Sequence, residues 1–472
     1  MADNDLYYIP AVEAIAAFKA RKLSPVELMT AVIARAEQVN PKINAFTYTF
    51  FDRALAQAKK AEERYGKAGG RPRPLEGIPI VIKDETAIKG ERTTFGSLIM
   101  KDNIDRKSAL IVERIQRAGA IIHGRSTAPE FSTATVTHSK LWGVTRNPWN
   151  LDYTPGGSSG GAAAQLAAGT TTLANGSDIA GSIRIPAACC GVVGFKPPYG
   201  RVPEDIGYNL DFYCHEGPLA RTVADCALFE NVIAGPHPRD IATVRPKLRI
   251  PSELKDVKGW KIAYSIDLGY FEVDPEMRQN TEAALDAFRE MGCQVEEVDL
   301  QWTSQVFTAA MNHLGHLFGN QLAAHLARHY YDLTNYARDF AEFGRRTTAD
   351  DFLTAMVIAG EMYETLGPTL EKYNVLICPT TALPAVAADH DPVNGTVTIN
   401  GVEVDSMVGW CMTYPFNVMS RCPVLSVPSG HAKNGVPTGI QIVGRTFDDT
   451  SVFRAAAALE RARPWANRRP PI

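Results

Sequence analysis

Two short blocks hold most of the residues in this chain that could do chemistry: Gly156-Gly157-Ser158-Ser159-Gly160-Gly161, and Asp178-Ile179-Ala180-Gly181-Ser182-Ile183-Arg184-Ile185-Pro186. A serine hydroxyl is a nucleophile once a base activates it, and small flanking residues let backbone approach closely, as a reacting centre built from main-chain donors requires. Other readings of the glycines compete. A phosphate cradle needs G-x-x-x-x-G-K-[ST], and here Ala162 and Ala163 follow Gly161, so the lysine is missing. Gly156-x-Ser158-x-Gly160 matches a nucleophile elbow, but an elbow needs a strand just ahead of the serine, and Asn150 to Pro155 is turn chemistry. Against a flexible linker stand the helix-forming Ala162 to Ala168, stopped at Gly169, and the second Gly-Ser block.

The other reactive side chains make weaker patterns. His313 and His316, and His325 and His329, have the i,i+3 and i,i+4 spacing that can hold zinc, but no H-E-x-x-H or carboxylate pair accompanies them; helix histidines with ordinary partners are the reading. Cys189 and Cys190 lie on a segment expected to pack as core, with no base beside either. Ser252-x-x-Lys255 falls in a charged, exposed stretch.

Elements that could position the two blocks follow from hydrophobic periodicity. Ser24 as N-cap, Pro25 and Glu27 open a helix with the apolar series Leu28, Val32, Ile33, Ala36, Val39. A second alanine-rich helix to about residue 64 makes the first 65 residues a helical hairpin. Ile78 to Ile82 reads as a buried strand, Ala109 to Ala118 as a helix, and Ala120 to His123 as another strand. Proline-rich Pro236 to Lys258 is a linker or surface excursion, after which Trp260 to Ser265, Asp274 to Met291 and Gln294 to Leu300 restore a βαβ rhythm. Residues 304–372 read as helical, followed by strands at Val375 to Cys378, Val424 to Val427 and Gly439 to Val443 and a last helix near 450–462. The expected fold is a single large α/β domain with a central mixed sheet covered by helices.

The run from Gly156 to Ala187 resembles the amidase signature family: the Gly-Gly-Ser-Ser-Gly-Gly block, then Asp178, Gly181-Ser182, Arg184 and Pro186 stand at the family's spacing. The likeness reaches out to Gly77-Ile78-Pro79-Ile80-Val81-Ile82-Lys83-Asp84 and to Gly191-Val192-Val193-Gly194-Phe195-Lys196-Pro197-Pro198-Tyr199-Gly200-Arg201, and is clear over about residues 70–235. It implies one amidase domain over 1–472, Ser182 as nucleophile, Ser158 as a bridging serine on a cis peptide bond, and Lys83 as terminal base. The N–H groups of Ile179, Ala180, Gly181 and Ser182 would form the oxyanion hole. Ser132 falls beside the acyl-binding channel, Ser159, Asp178 and Arg184 support the serine turns, and Asp84 is scaffolding. Ala180 stands where many members have glycine.

No histidine lies near either serine in sequence, so a lysine must serve as base. It can do so only when neutral, a form that burial favours. The expected reaction is hydrolysis of a carboxamide C–N bond through an acyl-enzyme, with aryl esters and carbamates as further substrates and with no metal and no cofactor. Tyr208 to Tyr213, Phe318 and Met356 are candidates for an apolar pocket. The rival is the amidase-like component of a glutamine-dependent tRNA amidotransferase.

Composition fits. Lys plus Arg number 49 against 52 Asp plus Glu, a net charge of −3, which leaves no basic footprint for nucleic acid. The partner is then a small amide, ester or carbamate, with a homodimer left open. No stretch has 18 apolar residues to span a membrane, and the start lacks a signal peptide's basic and apolar regions, so a cytoplasmic protein is expected. Eight cysteines without a C-x-x-C spacing suit reduced thiols.

Overall fold

Eleven strands pair into one sheet: β1 (Phe46–Thr49), β2 (Pro79–Lys83), β3 (Ile121–Ser126), β4 (Leu173–Ser177), β5 (Val193–Lys196), β6 (Glu216–Ala220), β7 (Lys261–Tyr264), β8 (Gln294–Glu297), β9 (Val375–Pro379), β10 (Val424–His431) and β11 (Pro437–Val443). Across the sheet the order is β1-β3-β2-β4-β6-β5-β10-β11-β9-β7-β8. The computed structural model describes residues 3–67 and 69–472. β2 runs parallel to β3 and to β4, with Lys83 opposite Ser126 and Val81 opposite Ala174. From β4 through β9 every neighbour is antiparallel, and β9, β7 and β8 are parallel again. The sheet is therefore mixed, as expected.

Helices bury both faces, which is why the strands read as continuous apolar runs instead of alternating ones. Ile80 and Ile82 pack into a core that includes Ile111 and Ile115 of helix Leu110–Ala118, Phe229 of Val223–Ile233, Phe288 of Pro275–Glu290 and Phe453 of Asp449–Ala462. Val81 packs instead with Ala162 to Ala168, on helix Gly160–Ala168. Successive strand residues point to opposite faces, so Lys83 shares the face of Val81 and meets the start of that helix.

Helix Pro25–Ile43 begins at Ser24 with a capping box to Glu27, and Phe51–Gly66 follows it. The N-terminal segment is more than the expected hairpin. A helix at Ala11–Lys19 precedes it, and Phe46-Thr47-Tyr48-Thr49, aromatic and β-branched, joins the sheet as β1 antiparallel to β3. Residues 1 and 2 of that segment lie outside the described residues. Residues 236–258 form no helix or strand, and β7, helix Pro275–Glu290 and β8 then resume the βαβ rhythm. Between β8 and β9 stand helices Gln305–Leu314, Asn320–His329, Asn335–Arg346 and Ala349–Lys372. Among the described residues, no helix is long and apolar enough to cross a membrane.

Candidate active site

Lys83, the last residue of β2, is fully buried. Its Nζ donates to Ser158 Oγ at 2.7 Å and to Ser177 Oγ at 2.9 Å, and lies 3.0 Å from Glu85 Oε1. Ser158 sits in the turn that leads into helix Gly160–Ala168, after a cis Gly157–Ser158 peptide bond and with no strand ahead of it; that removes the elbow reading. Close approach is enforced by the glycines: a Cβ on Gly161 would come within 2.5 Å of the Thr127 backbone nitrogen. The two blocks are tied main chain to main chain, the Ser159 N–H donating to Ser182 O at 3.1 Å, while Ser159 Oγ donates to Ser177 O at 3.4 Å.

Ser182 opens on a cavity and its hydroxyl has no protein hydrogen bond among the described residues. Lys83 and Ser158 are thus joined and Ser182 is adjacent but unbonded, the open geometry common when no substrate is bound.

Asp178 and Arg184 make a buried two-pronged pair, with Nε to Oδ2 at 2.9 Å and Nη2 to Oδ1 at 2.8 Å. Burial alone would push the Asp178 carboxyl up; the Arg184 charge and its hydrogen bonds, with one from Asn417, instead hold it well below the usual carboxylate range. The carboxylate also accepts the Gly181 N–H at 2.9 Å and the Ile183 N–H at 3.2 Å. This corrects the four-donor oxyanion hole: Gly181 is committed to Asp178, whereas the amides of Ile179, Ala180 and Ser182 meet no protein acceptor among the described residues. Gly181 has φ of 125° and its Cβ position lies 1.9 Å from Thr413 Oγ1, so only glycine fits there. Ala180 is not left-handed, so its methyl group costs the loop nothing, and Thr413 Oγ1 donates to its carbonyl at 2.7 Å.

Two cavities meet at this point. The larger, about 750 Å³, is walled by Ile179, Ala180 and Ser182 and by Phe307, Met311, Leu314, Phe318, Phe340 and Phe343 of the helical region 304–372. The smaller, about 250 Å³, lies toward Glu85, Ser177, Tyr208 and Glu216. Ser132, Ile179 and Phe318 line both. Ser132 is therefore at the boundary, and its hydroxyl donates to Glu85 Oε2. Met356 does not reach either cavity: it is half exposed on the outer face of Ala349–Lys372 beside Leu353 and Val357. Tyr213 is buried in a stack with His313, ring centres 3.5 Å apart.

The remaining candidates are occupied structurally. His313 Nε2 meets Asp211 Oδ1 at 2.7 Å, His316 stacks on Phe352, His325 on Phe131, and His329 Nδ1 meets Asp332 at 3.0 Å. Among the described residues, no cluster of three His, Cys, Asp or Glu side chains is arranged to hold a metal. Cys189 and Cys190 are fully buried, and burial pushes the Cys189 thiol up to about 12. Asp84 turns away to Thr94 and Arg125. Residues 252 and 255 lie on an exposed coil.

Sequence reasoning missed Glu85, Ser177, Thr413 and Asn417. Glu85 stands two residues past Lys83 and Ser177 one before Asp178, so proximity in sequence was a usable signal for both. Thr413 and Asn417 come from more than 200 positions away and carry none.

A sequence profile of the Amidase family matches residues 27–453. The chain is 36% identical to an acylamidase of Rhodococcus erythropolis, covering 100% of this chain and 98% of that protein. It is 33% identical to the amidase-like component of the glutamyl-tRNA(Gln) amidotransferase of Geobacter metallireducens, over 95% and 96% of the two chains. The structure of a bacterial aryl acylamidase of the amidase signature enzymes superposes with a TM-score of 0.90 at 31% identity, over 97% of each chain. The chain belongs to the amidase family. It is an amidohydrolase, and the reaction it catalyses is hydrolysis of carboxamide C–N bonds.

Proposed function

We propose that hydrolysis proceeds by acyl transfer to Ser182, with Ser158 and Lys83 as the proton relay. The observation that carries this reading is the 2.7 Å hydrogen bond between a fully buried lysine amine and Ser158, one residue from the amide tied to Ser182. Neutral Lys83 takes the Ser158 proton while Ser158 takes that of Ser182, and the nucleophile attacks the carbonyl. The oxyanion points at the uncommitted N–H groups of Ile179, Ala180 and Ser182, donors fixed before the charge develops. The same relay, run back, protonates the departing amine, and water repeats the cycle on the acyl-enzyme.

The acyl half occupies the larger cavity and the amine half the smaller one. Six apolar side chains on the larger cavity's wall suit an aryl or extended apolar acyl group in preference to the polar chain of glutamine. That wall favours the acylamidase reading over the amidotransferase reading, and it accommodates aryl esters and carbamates, whose carbonyls take the same attack.

A serine-directed fluorophosphonate tests the reading. Ser182→Ala abolishes labelling, and Lys83→Ala and Ser158→Ala each slow acylation by at least the roughly 10²- to 10⁴-fold typical of general acid–base groups. Labelling retained in Ser182→Ala overturns the assignment. On the isolated chain, aryl amides turn over and glutamine does not; glutaminase activity that needs a copurifying partner would reverse the choice.

A further inference from the structure

Among the described residues, Glu85 is the one ionised group in contact with Lys83, and the relay as described gives it no task. Its Oε1 lies 3.0 Å from Lys83 Nζ, and its Oε2 accepts the hydroxyl of Ser132. Ser132 is held there by consecutive left-handed residues, Phe131 at φ 49° and Ser132 at φ 59°, conformations that side-chain-bearing residues keep only when their surroundings impose them. The imposing contact is at hand: the Phe131 N–H donates to Phe95 O at 2.7 Å. A strained turn thus delivers a hydroxyl to a carboxylate that touches the relay lysine.

The other groups around the smaller cavity sharpen the assignment. Facing Glu85 are Lys83 from β2, Lys107 from the loop ahead of helix Leu110–Ala118, Glu204, Asp205, Tyr208 and Cys214 from the segment before β6, Asp178 and Ser177 from the end of β4, and His215 and Glu216 at the start of β6. Lys107 is spent 3.9 Å from Asp205, and Asp178 is neutralised by Arg184. Three carboxyls therefore crowd one cavity with a single cation in contact. Burial and then the neighbouring negative charges push Glu204 and Glu216 up. Burial would push Glu85 up as well, but the Lys83 charge and hydrogen bonds from Ser132 and Ser177 hold it below its ordinary value. The negative charge of the group resides on Glu85.

We infer that Glu85 is a positioning residue of the proton relay: its carboxylate orients the Lys83 amine toward Ser158 and sets the pH at which that amine serves as base, with Ser132 anchoring the carboxylate from the wall the two cavities share. The inference rests on the reading of Lys83 as base. Its chemistry is differential. Abstraction of the Ser158 proton turns the Lys83 amine into an ammonium, and a fixed carboxylate 3.0 Å away stabilises that product as the oxyanion forms. The same charge resists loss of the ammonium proton in the resting enzyme, so the base is armed only on the high-pH side of the profile.

Glu85→Gln keeps the shape and removes the charge. Its acid limb of kcat/KM moves to lower pH by roughly 1 to 3 units, the shift a contacting opposite charge produces, while the plateau kcat falls about tenfold or more. Glu85→Asp retains a carboxylate and brings the limb back toward the wild-type position. Thermal unfolding of each variant confirms that it is folded, and Lys83→Ala is assayed alongside. An acid limb that stays in place in folded Glu85→Gln, whatever the loss of rate, overturns the inference and leaves Glu85 as packing. Lys83→Ala with the wild-type rate overturns the base assignment itself; an inactive Lys83→Ala beside an unmoved Glu85→Gln limb overturns only the role of Glu85. If Glu85→Gln unfolds, Glu85→Asp carries the test: the inference then requires the wild-type limb within about half a unit, and a limb displaced as far as loss of the charge predicts refutes it.

Discussion

Asp178→Asn isolates what the buried brace contributes. The substitution leaves the side-chain volume almost unchanged but strands the Arg184 guanidinium, which has no solvent exposure and, among the described residues, no other carboxylate in contact. Breaking a buried pair by removing one partner costs about 3 to 5 kcal/mol, because the surviving charge is left without compensation. An unfolding entropy of about 2.1 cal/mol/K for each of 472 residues amounts to about 1 kcal/mol/K, so the cost appears as a fall in Tm of about 3 to 5 °C. Activity falls too, since Asp178 fixes the Gly181 and Ile183 amides on either side of Ser182; the limit is the roughly 10²- to 10³-fold that loss of one oxyanion donor costs. Differential scanning calorimetry and initial rates on an aryl amide measure both. The double variant Asp178→Asn/Arg184→Met supplies the control, because removing both charges is less damaging than the two single effects added. A Tm within about 1 °C of wild type for Asp178→Asn, or a double variant showing simple additivity, refutes the argument.

Gly181→Ala drives a methyl group into Thr413 Oγ1 and holds it at a φ of 125°, so it abolishes turnover while the protein stays folded; wild-type kcat/KM in that variant contradicts the loop geometry. Phe340→Ala enlarges the larger cavity and raises KM for aryl amides over short aliphatic ones, whereas Met356→Ser, on the outer face of its helix, leaves both constants unchanged; steady-state kinetics on the two substrate types distinguishes them. Folding stability falls as pH drops from about 6.5 toward 4, because His123 is buried and its imidazole is pushed down to about 4. Its neutral form belongs to the native state while the unfolded chain gains a proton, which costs about 1.4 kcal/mol per pH unit across that window. Urea titrations of wild type and His123→Gln at pH 7 and 5 check the sign, and parallel pH slopes rule it out.

Legibility in the sequence followed the range of the interactions. Ser24 and Glu27 are three residues apart and cap a helix through bonds that span one turn, so the helix start could be read directly. Lys83, Ser158 and Ser182 were found because a family pattern fixes their spacing; their mutual contact depends on β2 lying beside β4 and on the glycine turn, which no local periodicity encodes. Phe46–Thr49 is too short and too polar to stand out between two helices, and becomes a strand only because β3 offers its free edge. Met356 shows the opposite failure. Helical periodicity tells which residues share a face, not whether that face meets a cavity or solvent.

The site divides into a fixed part and a part that waits for substrate. Lys83, Ser158 and Asp178 are essentially inaccessible, and side-chain and backbone hydrogen bonds hold them, so their geometry is set by folding. The Ser182 hydroxyl is unbonded and faces the cavity. Rotation of one side chain then completes the relay, and it does so where an entering acyl group displaces water from the cavity wall. A nucleophile disconnected from its base until the cavity is filled is idle toward water, and the burial of Lys83 and the exposure of Ser182 to the cavity both serve that separation.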